Sequence, residues 1–151
     1  MKNILLIYTG GTIGMVKDKK KNTLVPLNFD ELLKAIPELK SDEVDLDNIS
    51  TKKPIDSSNM NPKNWIEIAN LIEENYNRYD GFVVLHGTDT MAYTASAFSF
   101  MLESLNKAVI FTGSQIPIGA RRSDAKENLI TAVEIAASGK VNEVCIYFED
   151  Q

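Results

Sequence analysis

Four short apolar runs limit most strongly how this chain folds: Ile4-Leu5-Leu6-Ile7, Phe82-Val83-Val84-Leu85, Ala108-Val109-Ile110-Phe111 and Val144-Cys145-Ile146-Tyr147-Phe148. Each is short and unbroken by polar residues, the pattern of a parallel strand covered on both faces. The segments between them carry helical spacing. Asn61-Pro62 opens one helix, with Asn61 as N-cap and Pro62 at the first helical position. Trp65, Ile68, Ala69, Ile72 and Tyr76 continue it along one face, so Trp65 reads as packing. Met91, Ala95, Phe98, Leu102 and Leu105 mark a second helix. Asp124 with Glu127 resembles a capping box ahead of Leu129, Val133 and Ala136, and Gly139 ends that helix. This alternation predicts an α/β fold, a doubly wound, mostly parallel sheet with helices on both faces.

Weaker signals fill the remainder. The stretch from Val16 to Asn28 is polar and is expected to be a loop, either a lid over Thr12 or plain surface. Asn28 or Asp30 can cap a short helix through Leu32, Leu33 and Ile36, which Pro37 closes. Val44, Leu46 and Ile49 suggest a charged, peripheral strand before Pro54.

Polar residues gather where the apolar runs stop. Tyr8-Thr9-Gly10-Gly11-Thr12-Ile13-Gly14 follows the first run, His86-Gly87-Thr88-Asp89-Thr90 the second and Thr112-Gly113-Ser114-Gln115 the third, while Asp56-Ser57-Ser58 lies in a turn. Right-handed crossovers bring the carboxyl ends of parallel strands to one edge, where open α/β sheets bind ligands. The glycines match neither G-x-G-x-x-G nor a phosphate-binding loop with its lysine, so a nucleotide site is disfavoured. His86 is the only imidazole, which rules out a Ser-His-Asp triad unless His86 itself is the base. A threonine hydroxyl then remains as nucleophile, and it must lose its proton to a positioned base as it attacks. A carboxylate is a feeble base towards an alcohol, and a lysine held neutral suits better. No lysine of this chain sits at a strand end beside these groups.

Composition narrows the class. At 151 residues and 44% hydrophobic the chain suits one domain, and a formal net charge of -5 argues against nucleic acid. Lys17, Lys19, Lys20 and Lys21 form a basic run without interleaved aromatics, read as a solvated flap. One Cys and one His make a metal site improbable, and Cys145 reads as a small core residue. No apolar run reaches the length of a membrane span and no signal segment precedes the first strand, so a soluble cytoplasmic protein is expected.

Thr9-Gly10-Gly11-Thr12-Ile13-Gly14 together with Leu85-His86-Gly87-Thr88-Asp89-Thr90-Met91 resemble the two signatures of the bacterial-type L-asparaginases. Tyr93-Thr94-Ala95-Ser96-Ala97 and Gly113-Ser114-Gln115-Ile116-Pro117 look most like the cytoplasmic type I branch, and the match runs along nearly the whole chain. The resemblance implies the Rossmann-like or flavodoxin-like amino-terminal domain of that family, spanning 1–151. It implies hydrolysis of L-asparagine to L-aspartate and ammonia through a threonine acyl-enzyme, without metal or cofactor. Thr12 resembles the nucleophile, and Thr88 with Asp89 resembles the second threonine and acidic partner of a triad completed by a lysine. Asp56, Ser57 and Ser58 resemble the stretch that grips the substrate's α-amino and α-carboxylate groups, with Thr88 and Asp89 beside it.

Two departures accompany the resemblance. The family's lysine follows the strand ending near Glu149, and its smaller carboxyl-terminal domain completes a neighbouring subunit's site; the sequence stops before both. The expectation is therefore a fragment of a longer, homo-oligomeric enzyme, dimer or tetramer, with little or no activity of its own. Leu24 is the nearest match to a lid tyrosine that some members carry. Two other readings stay open: the asparaginase-like subunit of a tRNA-dependent amidotransferase, and a non-catalytic asparagine-sensing module.

Overall fold

The computed structural model describes residues 1–18, 23–26, 29–39 and 41–149, with the backbone alone at 16–18 and 23–26. In chain order the strands and helices are β1 (Lys2–Tyr8), β2 (Met15–Asp18), β3 (Thr23–Pro26), α1 (Phe29–Ala35), β4 (Val44–Ser50), α2 (Pro62–Asn75), β5 (Gly81–Leu85), α3 (Met91–Met101), β6 (Val109–Thr112), α4 (Ala125–Ala137) and β7 (Val144–Ile146). Five strands make one parallel sheet in the order β4-β1-β5-β6-β7. Counting only these five, the order is 2-1-3-4-5, so the winding reverses between β1 and β5. The carboxyl ends of those two strands are Tyr8 and Leu85, paired in register.

The period of two along each strand divides the core. Ile4 and Leu6 of β1, Val83 and Leu85 of β5 and Ile110 of β6 pack with Leu32 and Ile36 near α1 and with Leu129, Ala132, Val133 and Ala136 of α4. Leu5, Ile7, Phe82, Val84, Val109 and Phe111 face the other way, onto Ile68 and Ile72 of α2 and Met91, Ala95 and Phe98 of α3. Each of the Val, Leu, Ile, Phe and Met side chains among them contributes about 1.5–3 kcal/mol on burial. Helices on both faces explain why the runs carry no polar alternation. Asn61 caps α2 by accepting from the Lys63 amide, and Asn64 reciprocates on the Asn61 amide at 3.1 Å. Trp65 packs as expected and donates its indole N–H to Thr94 at 3.1 Å.

Four expectations need correction. The polar stretch 16–28 is no plain loop, because β2 and β3 pair antiparallel within it. Met15, Val16, Leu24 and Val25 bracket the polar run, and the ladder sets Met15 against Pro26, Val16 against Val25, Lys17 against Leu24 and Asp18 against Thr23. Lys19, Lys20, Lys21 and Asn28 lie outside the described residues, as does the side chain of Leu24. The last apolar run forms only Val144–Ile146, partly exposed, and β7 lies at the edge of the sheet among the described residues. The second helix stops at Met101, with Leu102 as C-cap and Leu105 past its end. Asp124 makes no capping hydrogen bond to α4.

Candidate active site

The loops at the carboxyl edge are locked together through glycine backbone. Gly10 and Gly11 take φ of 136° and 82°. A Cβ at Gly10 would stand 2.2 Å from the Ile55 carbonyl oxygen, and one at Gly11 2.6 Å from the Gly87 amide nitrogen. A Cβ at Gly87 would meet the Ser57 hydroxyl at 2.5 Å, and one at Gly113 the His86 carbonyl at 2.5 Å. The four segments named from the sequence therefore touch one another around the β1/β5 reversal. Hydrogen bonds reinforce the contact: Ile55 donates its amide to the Thr9 carbonyl at 2.7 Å, and the Thr90 hydroxyl donates to the Ser57 carbonyl at 2.7 Å.

The hydroxyls in this edge divide into two sets. Thr9 is buried and donates to the Leu85 carbonyl at 2.9 Å, Thr112 donates to the Tyr147 carbonyl at 2.9 Å, and Ser114 donates to the Ile116 carbonyl at 2.9 Å. Those three hydroxyls hold the loops in shape. Thr12 and Thr88 are half-buried, whereas Asp89, Asp56 and Ser58 are exposed. Thr12 opens a single 3-10 turn, Thr12–Gly14, directly after the two glycines. Ser57 is buried, with its hydroxyl side against Gly87. Asp56 accepts from the Ser58 hydroxyl at 2.8 Å and the Ser58 amide at 3.0 Å. These two hydrogen bonds, the side-chain one first, hold its carboxyl below the usual carboxylate range.

His86 is fully buried and stacks edge-to-face on Phe111, with ring centroids 6.0 Å apart. Its Nδ1 lies 2.7 Å from the Gly87 carbonyl, so the neutral ring donates there and leaves Nε2 without a partner among the described residues. Burial pulls its pKa below the ordinary histidine value. The unfolded chain thus takes the proton first as pH falls, and stability is expected to decline as pH drops below the ordinary histidine range. His86→Gln should flatten that decline by up to about 1.4 kcal/mol per pH unit, measured by urea unfolding between about pH 7.5 and 5.5. Equal slopes in the two proteins would show that the folded imidazole titrates freely.

Among the described residues no group of three or more His, Cys, Asp or Glu side chains can hold a metal ion, and no helix is long and apolar enough to cross a membrane. Asp124 and Asn128 are polar groups at this edge that the sequence did not single out for it. Asp124 accepts the Gln115 and Ile116 amides, and Asn128 donates to the Gly113 carbonyl at 3.0 Å. An Asp ahead of a helix carries a ready capping interpretation, which masks any other use.

Three comparisons bear on this arrangement. The chain is 48% identical over 151 residues to L-asparaginase 1 of Escherichia coli (strain K12), covering 99% of this chain and 45% of that protein. It is 38% identical over 149 residues to a glutamyl-tRNA(Gln) amidotransferase subunit of Methanopyrus kandleri, covering 97% of this chain and 32% of that one. The crystal structure of L-asparaginase I from Vibrio cholerae superposes with a TM-score of 0.88 at 47% identity, covering 98% of this chain and 44% of that chain. The chain thus spans less than half the length of these relatives. The model of the family described as Asparaginase, N-terminal matches residues 3–151, and the chain belongs to that family.

Proposed function

We propose that the protein carrying this chain hydrolyses L-asparagine to L-aspartate and ammonia, and that residues 1–151 form its nucleophile-bearing α/β domain. One observation supports this above others: the Thr12 turn, the Thr88-Asp89 loop and the Asp56-Ser58 turn interlock at the β1/β5 reversal. In this reading the Thr12 hydroxyl attacks the side-chain carboxamide carbon and loses its proton to a base. The C–N bond breaks, ammonia leaves with a proton, and an ester to Thr12 remains. Water then adds to the ester carbon and releases L-aspartate and the threonine hydroxyl. Thr88 and Asp89 orient the proton transfer, and a lysine outside these residues accepts the proton. Asp56, kept ionised by the Ser58 hydroxyl that donates to it, suits the α-ammonium group, and the hydroxyls of Ser57 and Thr88 suit the α-carboxylate. The reading includes no cofactor or metal, a cytoplasmic location and a homo-oligomer in the complete protein.

The exposure of Asp56, Ser58 and Asp89 leaves this edge open, which fits a site finished by further polypeptide. Ammonia release from L-asparagine is therefore expected to be slow or absent for the 151 residues alone, and rapid for a polypeptide extended to the relatives' length. Comparable rates would overturn the assignment of an external lysine. The amidotransferase alternative draws on the Methanopyrus kandleri relative. Turnover that requires a partner subunit and charged tRNA would favour it, and asparagine binding without turnover in the extended protein would favour a sensor.

A further inference from the structure

We propose that Asp124 is a positioning residue for this site, acting through the loop after β6; this rests on the asparaginase reading above. The carboxylate is free for the task because Ser123 takes the capping role, its hydroxyl accepting the Ala125 amide at 3.1 Å. Asp124 spends its two oxygens on consecutive loop amides, Oδ2 on Gln115 at 2.8 Å and Oδ1 on Ile116 at 3.0 Å. Charge-assisted bonds of this kind are about twice as strong as neutral ones, so they fix the loop at two adjacent points. Asn128, one turn along α4 and 1% exposed, holds the base of the same loop through the Gly113 carbonyl at 3.0 Å. Its Oδ1 accepts the Glu149 amide at 3.0 Å, which ties in the backbone leaving β7.

The loop so held lies against Thr88. A Cβ at Gly113 would stand 3.3 Å from the Thr88 methyl, and Gln115 Nε2 lies 3.5 Å from Thr88 Oγ1. An amide N–H only donates, so at the 3.5 Å limit of a hydrogen bond Gln115 faces the Thr88 oxygen as a weak donor and biases the hydroxyl proton towards another acceptor. Asp124 thereby sets the orientation of Thr88 without touching substrate. A shift of about 1 Å at such a group costs up to about 100-fold in rate.

The test compares Asp124→Ala, Asp124→Asn, Gln115→Ala and the Asp124→Ala/Gln115→Ala double variant in the intact protein. Asp124→Ala should lower kcat about 10- to 100-fold with KM within about threefold. Asp124→Asn, which keeps one acceptor oxygen, should lose less. The double variant should be no worse than Asp124→Ala alone, because both act on one contact. Amide exchange at Gln115 and Ile116 should quicken at least about tenfold in Asp124→Ala, and the Thr88 methyl resonance should move. Unchanged exchange, additive losses, or a kcat loss that merely follows the melting temperature would overturn the proposal. If the unaltered protein releases no ammonia, the asparaginase reading fails separately. The Thr88 methyl shift then decides the positioning role, a moved resonance supporting it and an unmoved one ending it.

Discussion

Thr12→Ala is expected to lower ammonia release from L-asparagine by about 10,000-fold or more, with L-asparagine still bound within about threefold of the unaltered affinity. The size follows from removing the only group that forms the covalent bond in the proposed reaction. The retained binding is expected because the proposed binding turn keeps its shape without Thr12. Gly10 and Gly11 set the turn through their own backbone, and the Asp56–Ser58 turn is fixed by its internal hydrogen bonds. A half-buried Thr at the start of a short turn should cost about 1 kcal/mol of stability when truncated, too little to unfold the domain. Thr12→Ser keeps a hydroxyl and should keep measurable turnover. Single-turnover assays with calorimetric binding check both points. Turnover by Thr12→Ala within tenfold of the unaltered protein would move the nucleophile to another hydroxyl, with Thr88 the first to examine.

Gly10→Ala is expected to destabilise the fold by about 3–5 kcal/mol and to lose activity with it. Backbone at φ 136° costs an L-residue about 1–3 kcal/mol. The added methyl would also stand 2.2 Å from the Ile55 carbonyl oxygen, in a backbone segment tied to Thr9 by a 2.7 Å hydrogen bond. Neither side can yield cheaply, and overpacking of that kind adds about 1–3 kcal/mol. Gly139→Ala supplies the contrast. Gly139 has φ 65° but nothing within 4 Å of a Cβ, so only the conformational cost of about 1 kcal/mol applies. Urea unfolding of the two variants should differ by several-fold in ΔΔG. Equal midpoints would show that the loop at Ile55 moves aside freely.

The layers of the fold were legible because the apolar runs have no polar alternation, and only a sheet covered on both faces tolerates that. The edge strand β7 was overestimated for the same reason: an apolar run does not reveal whether a neighbour lies on each side. The hairpin β2–β3 escaped because its paired residues are split by a polar run, and composition averaged over 16–28 dilutes them. At the site, Thr12 and Thr88-Asp89 stood out through glycine spacing and family resemblance. Thr9, Thr112 and Ser114 looked chemically equivalent to them, yet their hydroxyls are consumed by the carbonyls of Leu85, Tyr147 and Ile116. A sequence names hydroxyls without naming their acceptors. Asp124 illustrates the converse, since a motif for capping a helix does not say whose amides the carboxylate receives.

The bond from Thr9 to Leu85 also bears on how the protein is born. Both the amide and the hydroxyl of Thr9 rest on the Leu85 carbonyl, 76 positions along the chain. During synthesis β1 can meet β4 early, but its other edge stays unpaired until β5 emerges on the order of seconds later. Until then the Thr12 turn lacks the Leu85 carbonyl that anchors Thr9 and the Gly87 backbone that packs on Gly11, and an apolar strand edge is open to other chains. A codon change or ribosomal pause between β4 and β5 would lengthen that interval and should raise the aggregated fraction without altering a single residue.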